Sequence, residues 1–314
     1  MPTRQSDKMR CSFGAYLPHR YRSFPTMPQV QTPLSGLTVA NGETFAWGTR
    51  TYVMGIINVT PDSFSGDGLS SDVGAVVDQA LRFHEQGADI LDIGAESSRP
   101  GHQNVTLDEE LARLIPALEA VAGTVELPIS VDTYKAEVAR RAVEVGAVII
   151  NDIWGLKAEP ELAHVAADSG ASLVLMHNQQ GVQYHDLLPD IASSLQMSVN
   201  KAVESGVPQG NIIVDPGIGF GKTPDHNLEV LARLTELQRL CCPILVGSSR
   251  KSTIGMLLDL PADQRMEGTA ATVTLAIAGG ADIVRVHDVK EMVRVCRVTD
   301  AVVRGWRPQG WKTS

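Results

Sequence analysis

Three side chains that form hydrogen bonds, those of Asp132, Asn151 and Asp215, each follow a short apolar run. Two carboxylates accept hydrogen bonds, and a carboxamide both accepts and donates. Together they match the amino and ring N–H groups along the edge of a planar heterocycle. Loop capping is the alternative for the two carboxylates, because an Asp after a strand also bonds the first N–H groups of the following helix. For either carboxylate taken alone, both interpretations stay open.

A second group of side chains offers positive charge and N–H donors. Arg285 and His287 alternate with valines at the end of the last apolar run, so both point to one face and predict a site for a polyanion. Lys251 begins a stretch with helical spacing and supplies a point cation for a ring or a carboxylate. Asn58 ends the first apolar run, where its amide would meet the anion and a divalent cation carried by it.

The glycine-rich stretch 215–222 predicts a turn against which a ligand packs. It reads Asp-Pro-Gly-Ile-Gly-Phe-Gly-Lys, and it lacks the spacing of the Walker and dinucleotide motifs. Glycines let the backbone approach a flat ligand closely. Phe220 then forms either a wall of that pocket or part of the core.

Eight short apolar runs must position these residues. They alternate with stretches of helical spacing, which predicts parallel strands with right-handed crossovers and, for eight units, a closed (β/α)8 TIM barrel of class α/β. In such a barrel the carboxyl ends of the strands meet at one face. The runs lie at 52–58, 89–93, 128–131, 147–150, 171–176, 211–214, 243–247 and 281–286. The helical stretches lie at 72–87, 106–122, 135–145, 159–169, 189–205, 224–240, 262–279 and 288–304.

The segments outside the repeating units predict a simple domain organisation. Residues 1–35 mix Pro, Arg, Ser and Gln without periodicity and are expected to form a poorly ordered tail. Asn41-Gly42 lies between short apolar stretches and predicts a small hairpin. Residues 36–308 are then expected to form a single barrel domain that the hairpin precedes.

Charge and cysteine content narrow the class of partner. The net charge of −9 argues against nucleic-acid binding, which needs a basic face, and leaves small molecules as the expected partners. No apolar run is long enough to span a membrane. The four cysteines show neither metal-ligand spacing nor the density of a disulfide framework, so we expect a reducing, cytoplasmic location.

Seven stretches resemble, in order, the motifs of the dihydropteroate synthase family. The resemblance extends from about Met54 to Val289 and leaves the first 35 residues out. The seven stretches are residues 55–64, 92–101, 130–134, 150–153, 215–222, 249–252 and 285–288.

That resemblance implies an enzyme of folate biosynthesis. Members of the family join 6-hydroxymethyl-7,8-dihydropterin diphosphate to 4-aminobenzoate and release diphosphate, with Mg²⁺ on the leaving group. It also implies an SN1-like substitution without a protein nucleophile, in which charge stabilisation drives departure of the diphosphate. A homodimer built from helices late in the barrel is expected as well.

The resemblance also assigns residues. The catalytic group would comprise Asn58, Asp132, Lys251, Arg285 and His287, with Asn58 beside the metal. The pterin would contact Asp132, Asn151, Ile153, Met176, Asp215, Phe220 and Lys251. The diphosphate would contact Asn58, Ser98, Arg99, Arg285 and His287. The 4-aminobenzoate would contact Phe64, Pro100, Lys251 and Ser252.

Two loops depart from the family pattern. Ala95 and Ser98 stand where Gly and Thr are common, and Gly66 precedes Asp67 so that the acid comes one position later. These changes lie where sulfonamides compete with 4-aminobenzoate, so altered drug sensitivity is a hypothesis. The loop changes leave a catalytically silent pterin-binding paralogue as one alternative to a synthase. A second alternative is a pterin-dependent methyltransferase domain, which shares the barrel and its pterin-binding acids.

Overall fold

The computed structural model describes residues 44–59, 73–96 and 105–312, together with the backbone of residues 37 and 38. The predicted tail, residues 1–35, lies outside the described residues, and so does the Asn41-Gly42 turn. Two short strands, β1 (Leu37–Thr38) and β2 (Thr44–Phe45), pair antiparallel on either side of that turn. This pairing confirms the predicted hairpin strands.

In the described part of the chain, eight further strands form one parallel sheet, which confirms the predicted (β/α)8 barrel. The strands are β3 (Tyr52–Asn58), β4 (Ile90–Gly94), β5 (Ile129–Asp132), β6 (Ile149–Asp152), β7 (Ser172–Met176), β8 (Ile212–Asp215), β9 (Leu245–Val246) and β10 (Ile283–Val286). Their order is β8-β7-β6-β5-β4-β3-β10-β9, and a bridge between Val214 and Ile244 brings β8 back to the start of β9 and completes the ring.

The helices follow the predicted stretches except around β9. The predicted helix 224–240 ends at Ala232 and continues as the 3₁₀ helix Leu234–Leu240, and the predicted helix 262–279 begins at Met266. An additional helix, Ser252–Leu258, precedes it. The helices are α1 (Val73–Gln86), α2 (Leu107–Ala122), α3 (Ala136–Glu144), α4 (Leu162–Ser169), α5 (Leu187–Glu204), α6 (Pro224–Ala232), α7 (Ser252–Leu258), α8 (Met266–Ala278) and α9 (Val289–Val303). Among these described helices, none has both the length and the apolar character that crossing a bilayer requires.

The strands are apolar on both faces because each face packs against a separate core. Val53, Leu91 and Val131 point outward to the helices, and Met54, Ile90 and Ile213 point inward to the barrel axis. Side chains on a strand alternate between faces, so the next inward position lies two residues further along the chain. That step leads from an apolar layer to polar groups at the carboxyl ends, as from Ile90 to Asp92, Ile149 to Asn151, Ile213 to Asp215 and Ile283 to Arg285.

The amino-terminal end of the barrel is closed by aromatic side chains of β2, of the segment after it and of the start of β3. Phe45 and Trp47 are buried, stack at 5.4 Å between ring centroids, and each meet the Tyr52 ring edge-on. The Gly48 N–H donates to Asp282 at the start of β10, which fixes this plug to the barrel wall. The closed end leaves the carboxyl-terminal face as the place for a ligand.

Candidate active site

Arg285 lies at the centre of the carboxyl-terminal face. Its Nε donates to Asp92 Oδ2 at 2.5 Å and its Nη2 to Asp132 Oδ2 at 2.6 Å, so one guanidinium joins three strands. Burial opposes the charged form, but the two carboxylates raise the pKa of Arg285 above its ordinary value. The guanidinium therefore stays charged inside the barrel mouth.

Asp92 belongs to the site, although it was predicted only as the first residue of one of the family-like stretches and without a role. Its side chain is fully buried, and it accepts from Asn151 Nδ2 at 3.2 Å as well as from Arg285. Asp92 therefore orients two residues at once: Asn151, which is predicted to bind the pterin, and Arg285, which is predicted to bind the diphosphate. The signal was present in the sequence, because a lone carboxylate inside an apolar strand needs a buried partner.

Asp132, at the end of β5, lies among several charges. Burial raises the pKa of Asp132 to about 7, Arg285 and Lys251 oppose that change, and Asp92 and Glu110 reinforce it. Burial therefore favours the protonated acid, whereas the ion pair with Arg285 favours the carboxylate. An N–H donor on a ligand would favour the ionised form.

Asp215 ends β8 and begins the glycine-rich turn. Its Oδ1 accepts the Gly217 N–H at 2.7 Å, and burial raises the pKa of Asp215 to about 6 despite that bond and the nearby lysines. Gly217 has φ +70°, and a Cβ there would stand 2.0 Å from the His177 carbonyl oxygen. Only glycine lets the turn lie this close to β7, so the glycine-rich stretch first serves packing against the neighbouring strand.

Phe220 and Lys251 face each other across two loops. The Lys251 Nζ lies 4.2 Å from the centroid of the Phe220 ring, a cation–π distance. The Lys251 stem crosses Gly219, where a Cβ would stand 3.0 Å from Lys251 Cδ. The structure thus brings the side chain predicted as an aromatic wall and the side chain predicted as a point cation into contact.

His287 is held by Ser249. The Ser249 hydroxyl accepts the His287 backbone N–H at 3.2 Å and lies 3.0 Å from His287 Nδ1. With the hydroxyl taken as the donor to Nδ1, the ring proton is assigned to Nε2. Burial and the nearby Arg285 lower the pKa of His287 to about 3, so the imidazole is neutral and offers an Nε2–H donor.

The glycine-rich stretch ends in a buried lysine, Lys222, that was not predicted as a site residue. Lys222 Nζ lies 3.0 Å from His177 Nδ1 and donates to the Phe220 carbonyl at 3.0 Å. Burial lowers the pKa of Lys222 to about 7, and burial with Lys222 lowers the pKa of His177 to about 3. Through these contacts, Lys222 connects the carbonyl of Phe220 in the turn to His177 after β7.

The remaining predicted residues occupy three kinds of position. Asn58 is exposed at the end of β3, level with Gly94 of β4. Met176 is buried at the end of β7, Ile153 is half-buried just after β6, and Ser252 is exposed as the first residue of α7. Phe64, Ser98, Arg99 and Pro100, like Asp67, lie outside the described residues.

A metal ion would find few protein ligands here. Over residues 44–59, 73–96 and 105–312, no three His, Cys, Asp or Glu side chains come together in an arrangement that could hold one. Asn58 contributes one exposed carboxamide oxygen. With this one neutral ligand, Mg²⁺ would have to take most of its shell from phosphate oxygens and water, which is how Mg²⁺ binds in many phosphate sites.

Comparison with known proteins points to one family. A family model described as pterin binding enzyme matches residues 54–287. The chain is 52% identical over 254 residues to the dihydropteroate synthase of Bacillus subtilis, covering 81% of this chain and 89% of that one.

Two crystal structures are similar along almost their whole length. The dihydropteroate synthase of Clostridium difficile in the presence of pteroic acid has a TM-score of 0.81 and 47% identity, covering 83% of this chain and 99% of that one. The Xanthomonas albilineans dihydropteroate synthase with 4-aminobenzoic acid has a TM-score of 0.82 and 41% identity, covering 88% and 100%.

Proposed function

Since the chain belongs to the pterin binding enzyme family, we infer that it is a dihydropteroate synthase, a transferase of folate biosynthesis. It condenses 6-hydroxymethyl-7,8-dihydropterin diphosphate with 4-aminobenzoate to give 7,8-dihydropteroate and diphosphate. The observation that carries this inference is the guanidinium of Arg285, placed at the barrel mouth between Asp92 and Asp132. A cation in that position stabilises the negative charge of a departing polyanion. The acids around it accept hydrogen bonds from a heterocycle with N–H groups.

The pterin is proposed to bind to the carboxylates at the ends of β5 and β8. Asp132 and Asp215 accept hydrogen bonds from its amino and ring N–H groups, and Asn151, oriented by Asp92, both donates and accepts. Ile153, Met176 and Phe220 supply apolar contacts to the ring faces. Lys251 places its ammonium beside the same ring through its contact with Phe220.

The diphosphate is proposed to leave by a dissociative, SN1-like step. The bond between the pterin methylene carbon and the bridging oxygen breaks with its electron pair on the diphosphate, and the cation that remains is stabilised by the carboxylates of Asp132 and Asp215. Arg285 and the Nε2–H of His287 stabilise the charge on the leaving group. The amine of 4-aminobenzoate then attacks the methylene carbon and releases a proton.

The 4-aminobenzoate is proposed to bind beside Lys251 and Ser252. The similar Xanthomonas albilineans enzyme was crystallised with 4-aminobenzoic acid, and in this chain the Lys251 ammonium and the exposed Ser252 hydroxyl suit a carboxylate. Phe64 and Pro100 remain predictions for this pocket, as Ser98 and Arg99 do for the diphosphate. The hypothesis of altered sulfonamide sensitivity stays a prediction as well.

Mg²⁺ is proposed to arrive with the diphosphate and to bind Asn58. When bound, it would neutralise part of the negative charge on the leaving group. The protein contribution is the exposed carboxamide at the end of β3.

The cytoplasmic location of the protein also stays a prediction.

A homodimer is proposed from three consecutive helices with exposed apolar side chains. Exposed apolar residues are unusual when several cluster on neighbouring helices, and they mark interaction surfaces. Leu275 on α8 is 57% exposed and Val302 on α9 is 78% exposed. The others are Met256, Leu257, Leu258, Met266 and Val298.

A coupled assay for diphosphate release tests the proposed function. Purified protein with the pterin diphosphate, 4-aminobenzoate and Mg²⁺ should release diphosphate and form dihydropteroate, and omission of 4-aminobenzoate should stop product formation. Tight pterin binding without turnover would instead support a silent paralogue. Methyl transfer to a corrinoid would support the methyltransferase alternative.

A further inference from the structure

A buried asparagine joins the two loops that carry Phe220 and Lys251. Asn227 Oδ1 accepts the Gly219 N–H at 2.8 Å, and its Nδ2 donates to Thr253 Oγ1 at 3.0 Å. Gly219 immediately precedes Phe220, and Thr253 follows Lys251 by two residues. One carboxamide therefore links the glycine-rich turn after β8 to the first turn of α7.

Gly219 fixes the orientation of the amide. A backbone N–H only donates, so the atom that faces Gly219 is the carbonyl oxygen, and the amide nitrogen must face Thr253. Both side chains are buried, with Asn227 3% exposed and Thr253 5% exposed. A buried amide that loses a hydrogen-bond partner costs free energy, so both bonds of Asn227 are expected to persist. The two loops are therefore held at fixed distances from Asn227.

Asn227 is an unfavourable residue for its position in the helix, so its presence there needs another explanation. Asparagine is a poor helix former and is seldom buried, yet Asn227 lies inside α6 with its backbone N–H bonded to the Thr223 carbonyl. The Thr223 cap and the Pro224 start already specify where α6 begins. The helix therefore does not need the amide for its own formation.

We propose that Asn227, through Thr253, is a positioning residue that sets the Lys251 ammonium against the Phe220 ring and so shapes the pterin pocket. The proposal rests on the synthase function above. The loops also touch where the Lys251 stem crosses Gly219, 3.0 Å from where a Cβ would stand. Movement of either loop would open that contact and the 4.2 Å approach of Lys251 Nζ to Phe220.

Substitutions at Thr253 test this bridge with little change in shape. Thr253→Val removes the acceptor, whereas Thr253→Ser keeps it. We expect Thr253→Val to lower kcat/KM for the pterin diphosphate about tenfold, which corresponds to ~1.4 kcal/mol, and Thr253→Ser to stay within about twofold of wild type. The dissociation constant for the pterin diphosphate, measured by calorimetry without 4-aminobenzoate, should rise in parallel.

Thr299→Val is the matched control for stability. Thr299 is also buried, at 6% exposed, and its hydroxyl donates to the Val295 carbonyl on α9. This variant should lower the unfolding midpoint as Thr253→Val does and leave kcat/KM unchanged. Asn227→Leu combined with Thr253→Val should lower kcat/KM by less than the product of the separate effects, since both break one bridge.

Two outcomes are distinguishable. If Thr253→Val and Asn227→Leu change only the unfolding midpoint, as Thr299→Val does, the positioning role is wrong and the bridge only stabilises the fold. If wild type gives no turnover in the same assay, the synthase function is wrong, and the calorimetric comparison still decides whether the bridge affects pterin binding.

Discussion

Arg285 stays charged at the barrel mouth because Asp92 and Asp132 each accept one of its N–H groups. The two carboxylates orient the guanidinium through Nε and Nη2 before substrate binds. A diphosphate that binds there competes with them for the N–H groups of Arg285. Lysine in this position keeps the charge but cannot bridge both acids in the same plane. The neighbouring His287 is neutral and adds a donor rather than a second charge.

Asp132→Asn should weaken binding of the pterin diphosphate by about tenfold or more, because a charge-assisted hydrogen bond contributes roughly 1.5–3 kcal/mol. The variant keeps the size of the side chain and one acceptor for Arg285, so the fold should be retained. Isothermal calorimetry gives the dissociation constant. Glu137→Gln, an exposed change at the start of α3, is the control, and equal affinities for both variants would refute the role of Asp132.

The pKa of Asp215 predicts a pH dependence of stability. Burial raises it to about 6 in the folded protein, above the value near 4 of an unfolded chain. Between these pH values the folded state holds a proton that the unfolded state has lost, so the free energy of unfolding falls as pH rises through this window. The neutral variant Asp215→Asn avoids that loss.

We therefore expect Asp215→Asn to be more stable than wild type by about 3 kcal/mol above pH 7 and by less than about 1 kcal/mol near pH 4. Urea denaturation at several pH values measures the difference. The same variant should bind the pterin more weakly, since the ionised acceptor is gone. Parallel stability curves for the two proteins would show that the pKa of Asp215 is not raised.

Among the elements, the turn between β8 and α6 is the most tightly fixed part of the site. The Lys222 ammonium donates to the Phe220 carbonyl, and the Tyr184 hydroxyl donates to the next carbonyl, that of Gly221, at 2.7 Å. Asn227 holds Gly219 from the helix side. Lys222 within the loop, Tyr184 before α5 and Asn227 on α6 thus define a loop whose sequence is rich in glycine and would otherwise be free to adopt many conformations.

Gly217→Ala should disrupt this turn. A Cβ would stand 2.0 Å from the His177 carbonyl, and φ is +70°, so both contact and conformation oppose alanine. Gly181→Ala is the control, since Gly181 has φ +75° and no described atom within 4 Å of its Cβ position. The control should lose about 1–2 kcal/mol from conformation alone. Gly217→Ala should lose clearly more, measured by urea denaturation, and a similar loss in both would contradict the close packing.

At the scale of the whole molecule, the two ends of the barrel have separate tasks. The amino-terminal end is closed by Phe45, Trp47 and Tyr52 and stabilises the fold. The opposite end carries charged groups in a partly buried cluster, which is costly for stability but useful for binding. Changes at the closed end should therefore affect unfolding without affecting the ligand.

Trp47→Ala should lower the free energy of unfolding by about 3–5 kcal/mol, the cost of a cavity in place of a large buried side chain. Trp47 is 2% exposed, whereas Trp311, at 60% exposed, is the control. Pterin affinity of the folded Trp47→Ala protein should equal that of wild type. Denaturation and calorimetry measure the two quantities, and a loss of affinity at intact fold would show that the plug reaches the site.

The proposed dimer predicts that Leu275→Lys and Val302→Lys shift the protein to monomers, because a charge on an apolar interface must be desolvated on association. Met197→Lys is the control, as Met197 is 65% exposed on α5, away from α7, α8 and α9. Sedimentation velocity measures the oligomeric state. A wild-type protein that sediments as a monomer at all concentrations tested would contradict the proposal.

The sequence by itself determined the number and order of the β/α units. Strands buried on both faces read as short continuous apolar runs, and helices between them show their own period, so both are local properties. It also indicated Asp132, Asn151, Asp215 and Arg285, since polar residues at the ends of parallel strands must converge on one face. It did not predict that the helical stretch beginning near Lys251 ends as a separate short helix, α7, before α8.

Only the tertiary structure decided which of these groups meet. Asp92 and Arg285 are 193 residues apart and pair across the barrel, and Asn227 joins two loops that the sequence treats separately. Protonation was likewise unreadable, because burial and neighbouring charges set the pKa values of Asp132, Asp215 and His287. Such contacts depend on chain closure over long separations, whereas local periodicity reports only which face of each element is buried.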